Sequence, residues 1–426
     1  MSRRVLVVGG GGREHALAWA LARSPSVGEV VAAPGNPGIE AIGRCVAVDP
    51  KDPAAVARLA HDLAADLVVV GPEEPLVAGV ADAVAASGRP VFGPGAAAAR
   101  LEGSKAWMKE VLTGAGVPTA EHASFRADQQ EEALTFLETL DGLYVIKTDG
   151  LAAGKGVLVT DSQDEARAAV RRYLSGEAFG DAGRTVVIEE GLRGPELSLL
   201  VVCNGDPNAA APLEPAQDFK RIGDGDTGSN TGGMGAFSPV PAAGPELVEQ
   251  VMALAVRPTL HALAAGGATY RGVLYAGLML TIDGPKVVEY NVRFGDPECQ
   301  VVLPRLETDL GDLCDAAARG AAVPPVRFRD HACVTVVMAS EGYPNAPRTG
   351  RVITGVEAAE ARPDVMVFHA GTARDPDGTL VTAGGRVLDV TAVGPTISEA
   401  RRRAYDAAAA ITWSGVQYRH DIAAAA

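Results

Sequence analysis

Four short apolar runs dominate the first hundred or so residues: VLVV (5–8), GEVVAA (28–33), DLVVVG (66–71) and PVFG (90–93). Each is too short for a helix. Between them, stretches at 14–23, 53–64 and 76–87 carry helical periodicity. A strand that is apolar throughout must be covered on both faces, so this alternation predicts an α/β doubly wound parallel sheet. In such a sheet ligands gather at the carboxyl ends of the strands. The chain then changes character. Strands are expected at 144–147, 156–160 and 185–190, with helices at 128–140 and 163–174. A hairpin, VLYAGLMLTI–DGP–KVVEYNVR, is expected to turn at Asp283-Gly284. After the Pro-rich AAVPPVRF (321–328) a smaller α+β unit runs to a loose AAAA tail. The expected units are 1–102, 103–327 and 328–426, within the two to four domains that 426 residues allow.

A net charge of −15 argues against nucleic-acid and anionic-membrane partners, because both require a basic surface. No apolar run reaches membrane-span length, and MSRRVLVVGGGG leads straight into a strand rather than a signal peptide. A cytoplasmic protein is expected, with Cys45, Cys203, Cys299, Cys314 and Cys333 as core residues lacking metal-ligand spacing. Lysine is scarce: of seven, Lys105, Lys147, Lys155 and Lys220 fall in Gly-rich or motif-like stretches, where a compact ammonium has uses a guanidinium lacks.

The segment IKTDGLAAGKGV (146–157) looks at first like a P-loop, but Asp149 stands where the first glycine belongs and Gly156 where the Mg-binding hydroxyl belongs. GGGGREHALAWAL, after the first strand, offers backbone N–H groups at a helix start, which suits a phosphate. It lacks the third glycine of the dinucleotide fingerprint, so a nicotinamide is disfavoured. A phosphorylated small molecule at Gly11, Gly12, Arg13 and the Asn36-Pro37-Gly38 turn is the better reading. In KVVEYNVRFGDPE, strand alternation puts Glu289, Asn291 and Arg293 on one face and Val288, Tyr290 and Val292 on the other. Two oxygen donors so spaced can grip one hard cation such as Mg2+, and the arginine can neutralise a phosphoryl or carboxylate oxygen. The strand ending Glu189-Glu190-Gly191-Leu192 reads as a hinge for an adenine edge, with Glu196 placed for ribose hydroxyls. QDFKRIGDGDTGSNTGGMGAFSP, which starts with Asp218, Lys220 and Arg221, is too polar for a core element and reads as a functional loop.

These segments together resemble the phosphoribosylamine–glycine ligase (glycinamide ribonucleotide synthetase) family, which has the ATP-grasp fold. The resemblance covers essentially the whole chain: GGREHALAW, APGNPG, VGPEEPLVAG, LEGSKA, KTDGLAAGKGV, FGDAG, QDFKRIGDGDTGSNTGGMGA, YAGLM, EYNVRFGDPE and GGRVLDVTA. It implies an N-terminal substrate domain, an ATP-grasp domain with a lid at about 121–191, and a C-terminal α+β domain. It implies ATP-dependent ligation of glycine to 5-phosphoribosylamine through glycyl phosphate, with ATP and Mg2+ (or Mn2+) as cofactors, in a monomer or weak dimer. Residue by residue, Lys105 and Lys147 match phosphate contacts, and Gly154, Lys155 and Gly156 a glycine-rich flap over the triphosphate. Glu189, Glu190 and Leu192 match the adenine side, Glu196 the ribose contact, and Glu289 and Asn291 the metal ligands. Gly11, Gly12, Arg13, Asn36, Pro37, Gly38, Glu73 and Lys220 fall on the substrate side. Arg293 and the turn Gly295, Asp296, Pro297, Glu298 line the reaction centre, with Asp218 facing it. No residue matches a general base. Thr148, Phe219 and Ser229 depart from the family's usual alanine, histidine or tyrosine, and proline, which bears on loop conformation. The competing readings are another ATP-grasp ligase or carboxylase, a non-catalytic nucleotide-binding protein and a dehydrogenase.

Overall fold

A computed structural model describes residues 2–151, 156–176 and 184–426. The N-terminal unit is the expected parallel sheet. Strands Arg3–Gly9, Val27–Pro34, Arg44–Cys45, Leu67–Val70 and Val91–Phe92 lie in the spatial order third, second, first, fourth, fifth, all pairings parallel. Every residue of Leu67–Val70 is buried, as a strand covered on both faces must be. The strand Arg44–Cys45 carries no pattern to betray it, being two residues long. The helix expected over 76–87 is broken into Glu73–Val77 and Val80–Ala86 by Gly79, whose φ of +91° favours glycine. The break leaves Glu73 at the start of its own short helix.

The segment from 121 to 191 folds separately. Strands His122–Arg126, Thr185–Glu190, Tyr144–Thr148 and Val157–Thr160 pair antiparallel in that spatial order. Helices Gln130–Thr139 and Gln163–Leu174 pack on them around Leu134, Ile146, Val170 and Ile188, an apolar cluster distinct from those of the body. A unit with its own core can change its angle to the body without breaking the body's packing.

The central sheet is antiparallel, with Arg271–Thr281 between Glu196–Asn204 and Gly284–Asn291. Thr281 pairs with Gly284, so the turn is Ile282-Asp283 rather than the expected Asp283-Gly284. Further along, Gly277 lies opposite Glu289 but Leu278 opposite Val287, which makes Val288 the extra residue of a β-bulge. The alternation expected here therefore fails at Val288. Val287, Tyr290 and Val292 join the core, whereas Val288 turns its carbonyl towards Lys147.

A third sheet draws on both sides of residue 328, in the order Gln217–Asp218, Gly235–Ser238, Ala332–Ala339, Arg386–Gly394, Val365–His369. The polar loop between its first two strands is ordered by a hairpin, Arg221–Gly223 with Thr227–Asn230. It is tied down by Arg419, which is 1% exposed. The guanidinium donates to Asp226 Oδ1 at 2.7 Å, to Asp421 and to the carbonyl of Arg221, and lies over the Phe219 ring. Ile422 and Ala423 pack into the main core, so the tail is anchored through its first alanine. Among the described residues no helix is long and apolar enough to cross a membrane.

Replacing Arg419 with Met should release the 221–230 hairpin. We expect a loss of about 1–3 kcal/mol, the cost of orphaning charged hydrogen-bond partners, measured by urea unfolding, together with new protease cleavage inside that loop.

Candidate active site

A cavity of about 510 Å³ opens beside the end of the Gly284–Asn291 strand. Beyond the bulge, alternation resumes in the phase that directs Glu289, Asn291 and Arg293 into it. Asn291, on the edge strand of its sheet, is nonetheless buried and lines this cavity.

Arg293 is the hub. Its Nη2 donates to Glu102 Oε1 at 2.8 Å and to Asn291 Oδ1 at 3.1 Å, its Nε to Glu73 Oε2 at 3.1 Å, and its Nη1 to the Phe294 carbonyl. Arg13 donates to the same carbonyl at 3.0 Å and approaches Glu73 at 3.8 Å. Burial alone would raise the Glu73 carboxyl, but Arg293 and Arg13 outweigh it and hold Glu73 at about 2. Glu102 moves the other way. Burial, reinforced by the Glu73 charge, raises it despite the Arg293 contact and the 2.7 Å hydrogen bond from the Val292 N–H.

The opposite wall comes from the polar loop. Lys220 Nζ lies 3.1 Å from both Asp218 Oδ2 and Glu196 Oε2. Burial moves Asp218 upward despite Lys220, with Glu298 and Glu196 adding to the effect. In the turn after Arg293, Glu298 accepts from Tyr275 at 2.7 Å and from Ser198, while Asp296 takes the Arg386 guanidinium at 3.0 Å. Arg386 also donates to the carbonyls of Asp296 and Gly232, both at 2.7 Å. It enters from the C-terminal strand Arg386–Gly394, and Tyr343 from the same unit also lines the cavity.

The Gly-rich segment finds its place through Asp149. This residue, which ruled out a P-loop, accepts from Ser104 Oγ at 3.1 Å and from the Ala106 N–H at 3.2 Å. It therefore fastens the strand end at Thr148 to the start of the Lys105–Gly114 helix. Lys105 Nζ in turn donates to the Gly150 carbonyl at 2.8 Å. Gly156 lines the cavity, while Gly154 and Lys155 lie outside the described residues.

Among the described residues three charged groups of the cavity lack an opposite charge in contact, and one of them, Glu298, is held instead by the Tyr275 and Ser198 hydroxyls. Glu289 has no hydrogen-bond or ion-pair partner among the described residues, and Lys105 has only its carbonyl. Burial raises Glu289, but the fields of Lys220, Lys147, Lys105 and Arg293 outweigh it and keep it low, hence ionised. Among the described residues no cluster of three or more His, Cys, Asp or Glu could enclose a metal. The ionised Glu289 carboxylate and the Asn291 carbonyl oxygen do fit a hard cation that completes its shell with water and phosphate, as Mg2+ does.

Other expected residues lie elsewhere. Lys147 and Glu189 sit behind the cavity wall in an ion pair of 2.9 Å. Glu190 accepts from the Glu121 N–H at 3.0 Å and faces Lys286. Leu192 follows Gly191, whose N–H is held by the Leu143 carbonyl, in the link between two strands. At the helix start, the Gly11 N–H is committed to Glu14 Oε2 at 2.6 Å. Gly12 packs so closely that an added Cβ would lie 2.0 Å from Asp389 Oδ2. Asn36 caps the Pro37–Glu40 helix, accepting from the Gly38 and Ile39 N–H groups at 3.0 Å. Pro37 and Gly38 line a second cavity, beside His15 and His369. Gly295 and Pro297 shape the turn, where the Pro297 ring packs against Gly233. Glu102, Tyr275, Tyr343 and Arg386 are the charged and aromatic-hydroxyl side chains of the cavity that sequence reasoning did not single out. Three of them lie within the motifs LEGSKA, YAGLM and GGRVLDVTA, and Tyr343 carries no signal.

The depressed Glu73 value has a consequence for stability. Its contribution is complete above the ordinary value of 4.5 and is lost as pH falls through about 2. Glu73→Gln should therefore lower stability at neutral pH by on the order of 1–3 kcal/mol and flatten the loss between those limits. Urea unfolding across that pH range measures both effects.

Comparison with known proteins agrees across the whole length. The phosphoribosylglycinamide synthetase N domain matches residues 3–102, the ATP-grasp (A) domain of that family residues 103–299, and its C domain residues 333–425. The phosphoribosylamine–glycine ligase of Streptomyces coelicolor is 52% identical over 99% of this chain and 99% of its own. That of Caulobacter vibrioides is 51% identical over 98% and 97%. The crystal structure of the Thermotoga maritima phosphoribosylamine–glycine ligase superposes with a TM-score of 0.84 at 36% identity, covering 98% of this chain and all of that one. The chain is a member of the phosphoribosylglycinamide synthetase family.

Proposed function

We propose that this protein ligates glycine to 5-phosphoribosylamine with ATP, forming glycinamide ribonucleotide, ADP and phosphate in purine biosynthesis. The observation that carries this reading is the charge inventory of the cavity: a fixed arginine hub, an unpaired carboxylate beside an amide oxygen, and a lysine without a counter-charge. Phosphoryl transfer requires positioning and charge neutralisation more than covalent help from the protein.

A carboxylate is a poor acyl donor. A glycine carboxylate oxygen first attacks the γ-phosphorus, and ADP leaves. The amine nitrogen of phosphoribosylamine then attacks the carbonyl carbon of glycyl phosphate and loses a proton, and phosphate departs with the carboxylate oxygen that joined it. Lys105 and Lys147 serve the triphosphate together with the Gly154–Gly156 segment. The backbone of the hinge at Glu189, Glu190 and Leu192 takes the adenine, with the Glu189 side chain turned away onto Lys109 and Lys147, and Glu196 takes the ribose. Mg2+, or Mn2+ in its place, would be held by Glu289 and Asn291, where it supplies positive charge to the phosphate oxygens. Arg293, held by Glu73 and Glu102, presents its remaining hydrogen-bonding capacity to the carboxylate and acyl phosphate. Arg13, Lys220 and the Gly295–Glu298 turn hold the sugar phosphate, and Arg386 adds a cation from the C-terminal unit. Asp218, moved upward by burial, faces the place where the amine loses its proton. No histidine lines the cavity among the described residues.

We place the enzyme in the cytoplasm as a monomer or weak dimer. Its charge of −15 is a poor match for nucleic acid or an anionic membrane.

ADP release should require glycine and phosphoribosylamine together, with formate or bicarbonate supporting little turnover. Release that showed no preference for glycine would transfer the chain to another ATP-grasp reaction. Asn291→Ala should lower turnover by roughly 100-fold or more and shift its magnesium dependence upward, in line with the loss of a charge-stabilising contact, and should cost about 1–3 kcal/mol in unfolding because it orphans a buried Arg293 N–H. An unaltered magnesium profile would remove Asn291 from the ligand set.

A further inference from the structure

Behind the cavity wall lies a buried cluster with one positive charge in excess. Glu189 is 2% exposed, Lys147 4% and Lys109 1%. Lys109 Nζ lies 3.0 Å from Glu189 Oε2, and Lys147 Nζ 2.9 Å from Glu189 Oε1. Lys109 also donates to Thr119 Oγ1 at 2.6 Å, and that hydroxyl donates to the Val287 carbonyl. Lys147 donates to the Val288 carbonyl at 3.3 Å, the residue displaced by the bulge. The three charged side chains thus join the Lys105–Gly114 helix to two lid strands and to the strand that carries Glu289.

Two ammonium ions around one carboxylate leave a net charge of +1 in a place nearly closed to water. Uncompensated buried charge is unfavourable, and an anion brought alongside relieves it. We propose that Lys109 is a positioning residue: it is the standing counter-ion of Glu189, which leaves the Lys147 charge free to be answered by the phosphates of ATP. This rests on the reading of Lys147 as a triphosphate contact. With Lys109 in place, Lys147 turns towards the nucleotide and Glu189 keeps a partner. Without it, Glu189 and Lys147 form a neutral pair that ATP would have to break, stranding a buried carboxylate. Lys109 itself never reaches the nucleotide, because its ammonium is enclosed by Glu189 and Thr119. Its value is lowered to about 8, chiefly by burial, with Lys147 adding to the effect against Glu189.

The charge count makes a specific prediction. Wild type carries +1 in the cluster, Lys109→Met 0, and Lys109→Met with Glu189→Gln +1 again. Binding of a non-hydrolysable ATP analogue with magnesium should weaken by roughly tenfold or more in Lys109→Met, as expected when a buried ion pair must be opened. It should return to within about threefold of wild type in the double variant, whose cluster charge is restored. The KM for glycine should stay unchanged in both. If Lys109→Met fails to fold, near-wild-type binding by the double variant still supports the account, and a tenfold deficit there overturns it. Unchanged ATP binding in Lys109→Met, or a loss that the second substitution does not recover, also overturns it. Lys147→Met separates the two layers. If it leaves ATP binding intact, the reading of Lys147 fails; if it weakens ATP binding while Lys109→Met does not, only the counter-ion role fails.

Discussion

The Arg293 guanidinium is removed from water and must find acceptors for its N–H groups. It finds two of them far away in the chain, on Glu73 of the N-terminal unit and Glu102 at the end of the Ala96–Gly103 helix, and two close by, on Asn291 at the end of the preceding strand and on the Phe294 carbonyl. Because a guanidinium is planar and its donors are fixed in direction, these contacts set the relative positions of three walls of the cavity at once. Arg13 repeats the arrangement from the other side, sharing Glu73 and the Phe294 carbonyl. Leaving any of these buried acceptors without a partner would cost far more than the pairs contribute net. Such a network specifies geometry more than it adds stability, and geometry is what phosphoryl transfer asks of a protein.

Around that hub, nearly all the charge is already matched. Asp296 rests on Arg386 and Asp218 on Lys220, while Glu298, with no cation in contact, is satisfied by the Tyr275 and Ser198 hydroxyls. What remains is Glu289, kept ionised by four surrounding cations, and Lys105 close to it. Deeper in, the Lys109–Glu189–Lys147 cluster repeats the pattern of an incomplete balance. A carboxylate and an ammonium lacking opposite charges within one cavity call for a ligand that carries both a divalent cation and a polyanion. A magnesium nucleotide has that composition.

Much of this was legible in the sequence, and the reasons for the exceptions are physical. Parallel strands in the first unit announce themselves because burial on both faces leaves uninterrupted apolar runs. The shared face of Glu289, Asn291 and Arg293 follows from the two-residue repeat of a strand. The bulge at Val288 does not, since one inserted residue leaves the flanking alternation intact and merely shifts its phase. Asn36 and Gly11 read as anion contacts, yet Asn36 caps a helix that starts at Pro37, and Glu14 reaches back to take the Gly11 N–H. Asparagine before proline, and an acid three residues into a helix, are capping signatures as well, so local pattern alone supports both meanings. Arg386 and Tyr343 come from a unit that is brought to the cavity by strand pairing in the third sheet, a long-range pairing with no local signal. Lys109, one of seven lysines, carries no local signal, because its meaning depends on Glu189 lying across a helix–sheet contact.

The central claim is that the cavity activates the glycine carboxylate as an acyl phosphate, by neutralising charge around it. The most direct measurement is the fate of oxygen from glycine labelled with 18O in both carboxylate positions, turned over with ATP and phosphoribosylamine. Transfer of one carboxylate oxygen to phosphorus requires one labelled oxygen in each inorganic phosphate released and one retained in the amide product. Unlabelled phosphate formed in step with the amide would contradict the account.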